Sequence, residues 1–127
     1  MTVAFDTMDQ EDEHSCFSDN THNDIAYNFR SIANVYRGTY GSVTGPGLGA
    51  LVQARDPALH QTLEDALTQT QADIAAIPAP FDRAIQGADT DAGRVAVAES
   101  IASLRDVGDL LVEAAAQMGV TLNTALE

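Results

Sequence analysis

Lysine and tryptophan are absent from this chain, and cysteine occurs once. All 6 basic residues are arginines, set against 19 acids, and the formal net charge is -13. A surface so poor in cations does not suit nucleic acid, whose phosphates need a basic patch, or an anionic membrane. It leaves cations and basic partners open, beside plain solubility. A lone Cys16 cannot close an internal disulfide. Flanked by Ser15 and Phe17, it reads as a buried, inert thiol rather than a nucleophile, because neither His14 nor His22 lies on its line of a helix. No apolar run approaches the roughly 20 residues of a bilayer-spanning helix. The opening MTVAFD shows neither the basic start nor the apolar centre of a secretion signal. Aromatics are only 6%, yet hydrophobic residues reach 45%, which excludes disorder by composition. That apolar content is mostly Ala, Leu, Val and Ile, suited to closely packed helices. A length of 127 residues suits one domain with one core.

The densest chemistry is the run from Asp9 to Asp24, DQEDEHSCFSDNTHND. It holds two of the three histidines, the only cysteine and a crowd of carboxylates, hydroxyls and amides. Such groups are costly to bury unless paired, coordinated or wet. The residues that follow look like a core helix, so residues 10–37 are predicted as one long helix. On it Glu11, His14, Ser15, Ser18 and His22 would share a stripe. Two acid-x-x-His pairs emerge, Glu11/His14 and Asp19/His22, a spacing with which helical bundles ligate transition metals. The pairs would stand roughly 12 Å apart along the axis, too far to share one ion, so further ligands would have to come from elsewhere. The same spacing also fits a solvated helix face.

Further along, Ile25, Phe29, Ile32, Val35 and Tyr36 repeat at helical spacing. Glycines between Gly38 and Gly49 then break the pattern as a flexible connection. With no preceding strand and no Gly-Lys-Ser/Thr, that stretch is not a phosphate loop. Leu48, Leu51 and Val52 suggest a short turn over one end of the core. Asp56-Pro57 is a helix start, and Leu59, Leu63, Ala66, Leu67, Thr70, Ile74 and Ile77 form the stripe behind it, with His60 at its rim. The helix should end at Pro78-Ala-Pro80, with Phe81 and Ile85 plugging the bundle. A last helix from Ala92 to Met118 carries Val95, Ala98, Ile101, Ala102, Leu104, Leu111, Ala114, Ala115 and Met118, and Gly119 caps it. No strand is expected. The fold class is all-α: an antiparallel bundle of three long helices with short helical turns.

The Gln10–Asp24 run, with Ile32-Ala-Asn-Val-Tyr-Arg-Gly-Thr-Tyr40, Gly45-Pro-Gly-Leu-Gly-Ala-Leu-Val52 and Pro80-Phe-Asp-Arg-Ala-Ile85, closely resembles the C-terminal half of imelysin-family proteins. The resemblance covers nearly the whole chain. It implies a two-domain helical protein of the bacterial envelope, periplasmic or outer-membrane-associated, linked to iron or haem acquisition and classed among candidate metallopeptidases. The family's Gly-x-His-x-x-Glu motif belongs to the other half and is missing here: no Glu stands three residues after His14, His22 or His60. The chain, residues 1–127, is therefore expected to be one helical domain of a larger protein, with the N-terminal imelysin half as its partner. Carried over residue by residue, the resemblance implies ligand-binding roles for Ser18, Asp19, Asn20 and Thr21. It implies metal ligation by His14 and His22, toward iron or another divalent transition metal, with Glu13 and Thr21 as weaker members of the site; the acid-x-x-His spacing adds Glu11 to the metal ligands. Three functions follow: one wall of a metal- or ligand-binding site at a domain interface, half of a metallopeptidase site, or a hydrogen-bonded interface with no ligand.

Overall fold

The elements run in the order α1 (Thr2–Thr7), two single 3-10 turns (Gln10–Asp12 and Cys16–Ser18), α2 (Thr21–Arg37), a hairpin of β1 (Thr39–Tyr40) and β2 (Val43–Thr44), α3 (Leu48–Arg55), α4 (Pro57–Ala76), α5 (Phe81–Ala84) and α6 (Ala92–Gln117). The structure is a computed structural model that describes residues 1–122. Helix α4 is its axis. Asp56 accepts from the backbone N–H groups of Ala58 and Leu59, and Pro57 fills the first helical position, so the orphan donors of the helix start are met. Leu59, Leu63, Leu67, Thr70 and Ile74 are buried along one stripe of α4, and Ile77 follows just beyond its end. The expected face is thereby realised, with Ala66 half-buried at its edge.

Helices α2 and α6 pack on that stripe from two sides. Gln117 near the end of α6 donates to Asp56 at the start of α4, while Thr70, in the second half of α4, donates to the carbonyl of Ser103. The two helices are thus antiparallel. Tyr36 and Arg37 at the end of α2 reach His60, Glu64 and Thr68 of α4, while Asn23 and Ala26 near the start of α2 share a groove with Gln71, Ile74 and Ala75 at the end of α4. This makes α2 antiparallel to α4 as well, and the bundle is an up-down-up arrangement. One cluster of the core joins Phe29, Tyr36, Val52, Leu63, Leu67 and Val107. A second joins Ala4, Ile77, Phe81, Ile85, Val97 and Ile101, and Ile25 touches both. Phe81 and Ile85 are fully buried plugs, as their spacing predicted.

Several expectations are corrected. Residues 10–37 are not one helix, because α2 begins only at Thr21. Asp9 accepts from the Glu11 N–H and Ser15 donates its N–H to Thr21 Oγ1, while Asp19 sits at φ 49. Short polar side chains here offer the backbone local partners in place of helical ones. Residues Thr2–Thr7 form a helix that the sequence reading did not place, and Ala4 on it is fully buried. The glycine-rich connection contains a small antiparallel hairpin, pairing Thr39 with Thr44 and Tyr40 with Val43. Gly38 ends α2 at φ 70, and Gly41, at φ 59, opens the two-residue hairpin loop, where a positive φ is needed. Gly47 must lack a side chain because a Cβ there would run into the Tyr36 carbonyl and the Gly38 nitrogen. Ile32, Val35, Leu48 and Leu51, expected to face the core, are exposed. On α6, Val95, Ala98 and Ala102 are likewise exposed, and Arg94, Ala96, Val97 and Ser100 are buried in their stead. Cys16 is half-buried in a 3-10 turn rather than buried on a helix. His60, expected at the rim, is half-buried; its Nδ1 lies 2.9 Å from the Tyr36 hydroxyl and the two rings stack. Gly119 has φ 77 and continues the expected end of α6.

Candidate functional site

Losing the helix rearranges the polar run. Residues 9–20 fold as a compact loop over the start of α2. Asp24, in the first turns of α2, is its hub. It accepts from the Ser15 hydroxyl, from His14 Nδ1 at 2.9 Å and from the Asn20 amide at 3.4 Å. The Ser15 hydrogen bond, then that of His14, hold the Asp24 carboxyl below its ordinary value against the opposing effect of desolvation. An ionised carboxylate can only accept, so His14 donates its Nδ1–H and its tautomer is set. The His14 side chain is 68% exposed, and its Nε2 makes no hydrogen bond among the described residues.

The remaining sequence-derived residues take distinct places. Glu11 is exposed, and its N–H is capped by Asp9. Ser18 Oγ donates to the Ser15 carbonyl at 3.4 Å. Asp19 accepts from the Gln10 side chain at 3.1 Å, so it braces the loop, and Asn20 opens α2, accepting from the Asn23 amide at 2.8 Å. Thr21 is buried and holds Ser15, a structural post rather than an open ligand. His22 is half-buried on α2 and its Nδ1 is buried with no hydrogen-bond partner; the same holds for Oε1 of the buried Glu13 and for Oδ1 of Asp82 on α5. Unmet polar atoms of this kind cost about 1–3 kcal/mol each and call for a partner. Neither acid-x-x-His pair lies on one continuous helix: Glu11 belongs to a 3-10 turn that ends at Asp12, Asp19 sits at φ 49 ahead of α2, and the carboxylate on His14 is Asp24, ten residues on. Among the described residues no three of His, Cys, Asp and Glu gather as a metal-holding group.

Two residues of the site were not singled out by sequence reasoning. Asp24 was read as the edge of the run; its one available signal was an acid in the first turn of a helix. Phe17 is 97% exposed at the crest of the loop. Its neighbours are polar and no periodicity covers it, so only the structure reveals a bare aromatic ring on the same loop as His14.

The acid side of the stability profile follows from this geometry. Asp24 and Asp56 both titrate below the ordinary aspartate value when folded, Asp56 chiefly through the Leu59 N–H and then the Gln117 amide. The unfolded chain then binds more protons than the folded one in the window just below pH ~4. The stability they contribute is present above that window and lost as the pH falls through the folded values. Denaturation midpoints should therefore fall on acidification below pH ~4, with a shallower slope in Asp24→Asn and Asp56→Asn. Parallel slopes in all three proteins would refute the assignment.

These features define an all-α bundle with a polar, histidine-bearing loop braced on one helix. The family model described as Imelysin, of peptidase family M75, matches residues 1–111. The chain belongs to the imelysin family. No curated protein matches it significantly. Among the described residues no helix is long and apolar enough to cross a membrane.

Proposed function

We propose that this chain supplies one wall of a metal- or ligand-binding site, completed by a second helical imelysin half. The observation that carries this reading is the Asp24–His14 pair. A carboxylate that accepts the Nδ1–H hydrogen bond orients the ring and makes the Nε2 lone pair more basic, which is how metal-ligating histidines are held. The buried, unpartnered atoms of Glu13 and His22 and the bare ring of Phe17 support a partner surface over the same loop. With no three ligand side chains gathered among the described residues, the remaining donors would come from that partner. Imidazole and carboxylate accept iron, zinc and copper alike. Membership in the imelysin family supports a place in the bacterial envelope, in the periplasm or at the outer membrane, and a link to iron or haem acquisition. The chain lacks Gly-x-His-x-x-Glu, so peptide hydrolysis would need the other half.

Calorimetric titration with ferrous iron and with zinc tests the reading, using this chain beside a longer one that restores the upstream half. The longer chain should bind, His14→Ala/His22→Ala should abolish binding, and Asp24→Asn should weaken it about 10- to 100-fold. Binding that is indifferent to His14 and Asp24 would sink the proposal. A failure of either chain to bind, with Phe17→Ala weakening association of the halves, would leave the loop a structural interface.

A further inference from the structure

A second surface stands apart from the histidine loop. Between Ser31 and Ala54 the chain carries one charged residue, Arg37, and that residue is turned across the bundle to Glu64 at 2.7 Å. The segment nevertheless exposes Ile32, Val35, Tyr40, Val43, Leu48 and Leu51, between 43% and 80% each. Tyr40 and Val43 are cross-strand partners on the hairpin. Val35 lies at the centre, since it lines the groove toward the hairpin, the groove toward Leu111 and the groove toward Pro46 and Leu51.

We propose that this face docks a second copy of the same chain. Charge selects the occupant. The face offers no carboxylate with which to attract a basic partner. The chain as a whole carries a net charge of -13, so two copies approach most readily through a face without acids. Asp24 is the only acid of α2, and it lies about 16 Å along the axis from Val35, beyond the screening length of physiological salt. Asp56, just past α3, is tied to Ala58, Leu59 and Gln117. Area agrees. Six side chains at these exposures present on the order of 500–600 Å² of apolar surface, the upper end for a monomer's largest patch. With the polar hairpin rim added, the face approaches the roughly 800 Å² per partner of a stable interface. A two-fold axis near Val35 would lay each hairpin on the other copy's α3, an isologous contact that closes after two copies.

Light scattering of the full chain during gel filtration is the test. The expected mass is twice 13.4 kDa. Raising salt should leave the dimer unchanged or tighten it, because screening weakens repulsion between acidic copies and no ion pair is broken. Val35→Glu and Leu51→Glu, each at an exposed position on a different helix, should weaken the dimer at least about tenfold. Ala26→Glu, on the opposite side of α2 in the cleft toward α4, should leave it intact. Circular dichroism checks that each variant is folded. A 13.4 kDa species at every concentration overturns the proposal. So does a dimer that dissociates with Ala26→Glu and not with Val35→Glu. If the monomeric chain instead captures the upstream half in a Val35-dependent way, that half is the occupant and the second copy is excluded.

Discussion

Replacing Arg94 by leucine should destabilise the protein by about 3 kcal/mol, a large share of the 5–15 kcal/mol available to a domain. Arg94 is 5% exposed although it is charged. One of its terminal nitrogens donates to the carbonyl of Phe5 at 2.9 Å and to that of Ile85 at 2.7 Å. Its guanidinium carbon stands 4.1 Å over the Phe5 ring. Leucine would fill much of the volume but leave two carbonyls without their donor, at about 1–3 kcal/mol each, and would remove the cation–π contact. The ion pair with Asp89 contributes little, because that carboxylate is 89% exposed and screened. Arg94→Leu should therefore lower the urea midpoint sharply while Asp89→Asn barely moves it. Hydrogen exchange should show Thr2–Thr7 losing protection first, since Arg94 clamps α1 against α5 and α6. Equal midpoints for the two variants would show that the exposed ion pair, and not the carbonyl clamp, is what Arg94 provides.

Gly38→Ala is expected to cost a similar amount, about 3 kcal/mol, from a left-handed backbone plus steric overlap. Gly38 has φ 70, and a Cβ there would collide with the Gly45 carbonyl oxygen and stand 2.5 Å from the Gly47 nitrogen. Those atoms are backbone and cannot rotate away. Gly41 is the control: its φ is 59, but nothing lies within 4 Å of an added Cβ. Gly41→Ala should cost only the conformational part, about 1 kcal/mol. Thermal or urea unfolding of both variants measures the crowding by difference. A Gly38 variant no worse than the Gly41 variant would mean that the hairpin can lift from α2 freely.

The helices were legible where one physical rule acted alone. Asp56-Pro57 and the Leu59–Ile77 stripe specify α4 because capping and periodicity agree and nothing competes. Phe81 and Ile85 were legible as plugs because large apolar side chains between two helix breaks have few other places to go. The histidine loop was not legible as geometry. Its residue types pointed to the right segment, but the helical stripe assumed for it never forms, since Asp9, Ser15 and Thr21 hydrogen-bond locally and α2 starts late. Asp24 became the partner of His14 only through that chain reversal.

The sequence by itself determined the all-α class, the central helix, the family and the acidic character, because these rest on composition, short-range periodicity and local motifs. Only the tertiary structure decided which apolar faces remain bare. Ile32 and Val35 have the same helical periodicity as Phe29 and Tyr36, and periodicity cannot say where a bundle lacks a neighbouring helix. It likewise decided that Arg94 is buried and His14 is not. Burial of a polar group depends on whether distant segments bring it partners: the carbonyls of Phe5 and Ile85 meet Arg94, whereas His14 meets only the nearby Asp24 and stays 68% exposed.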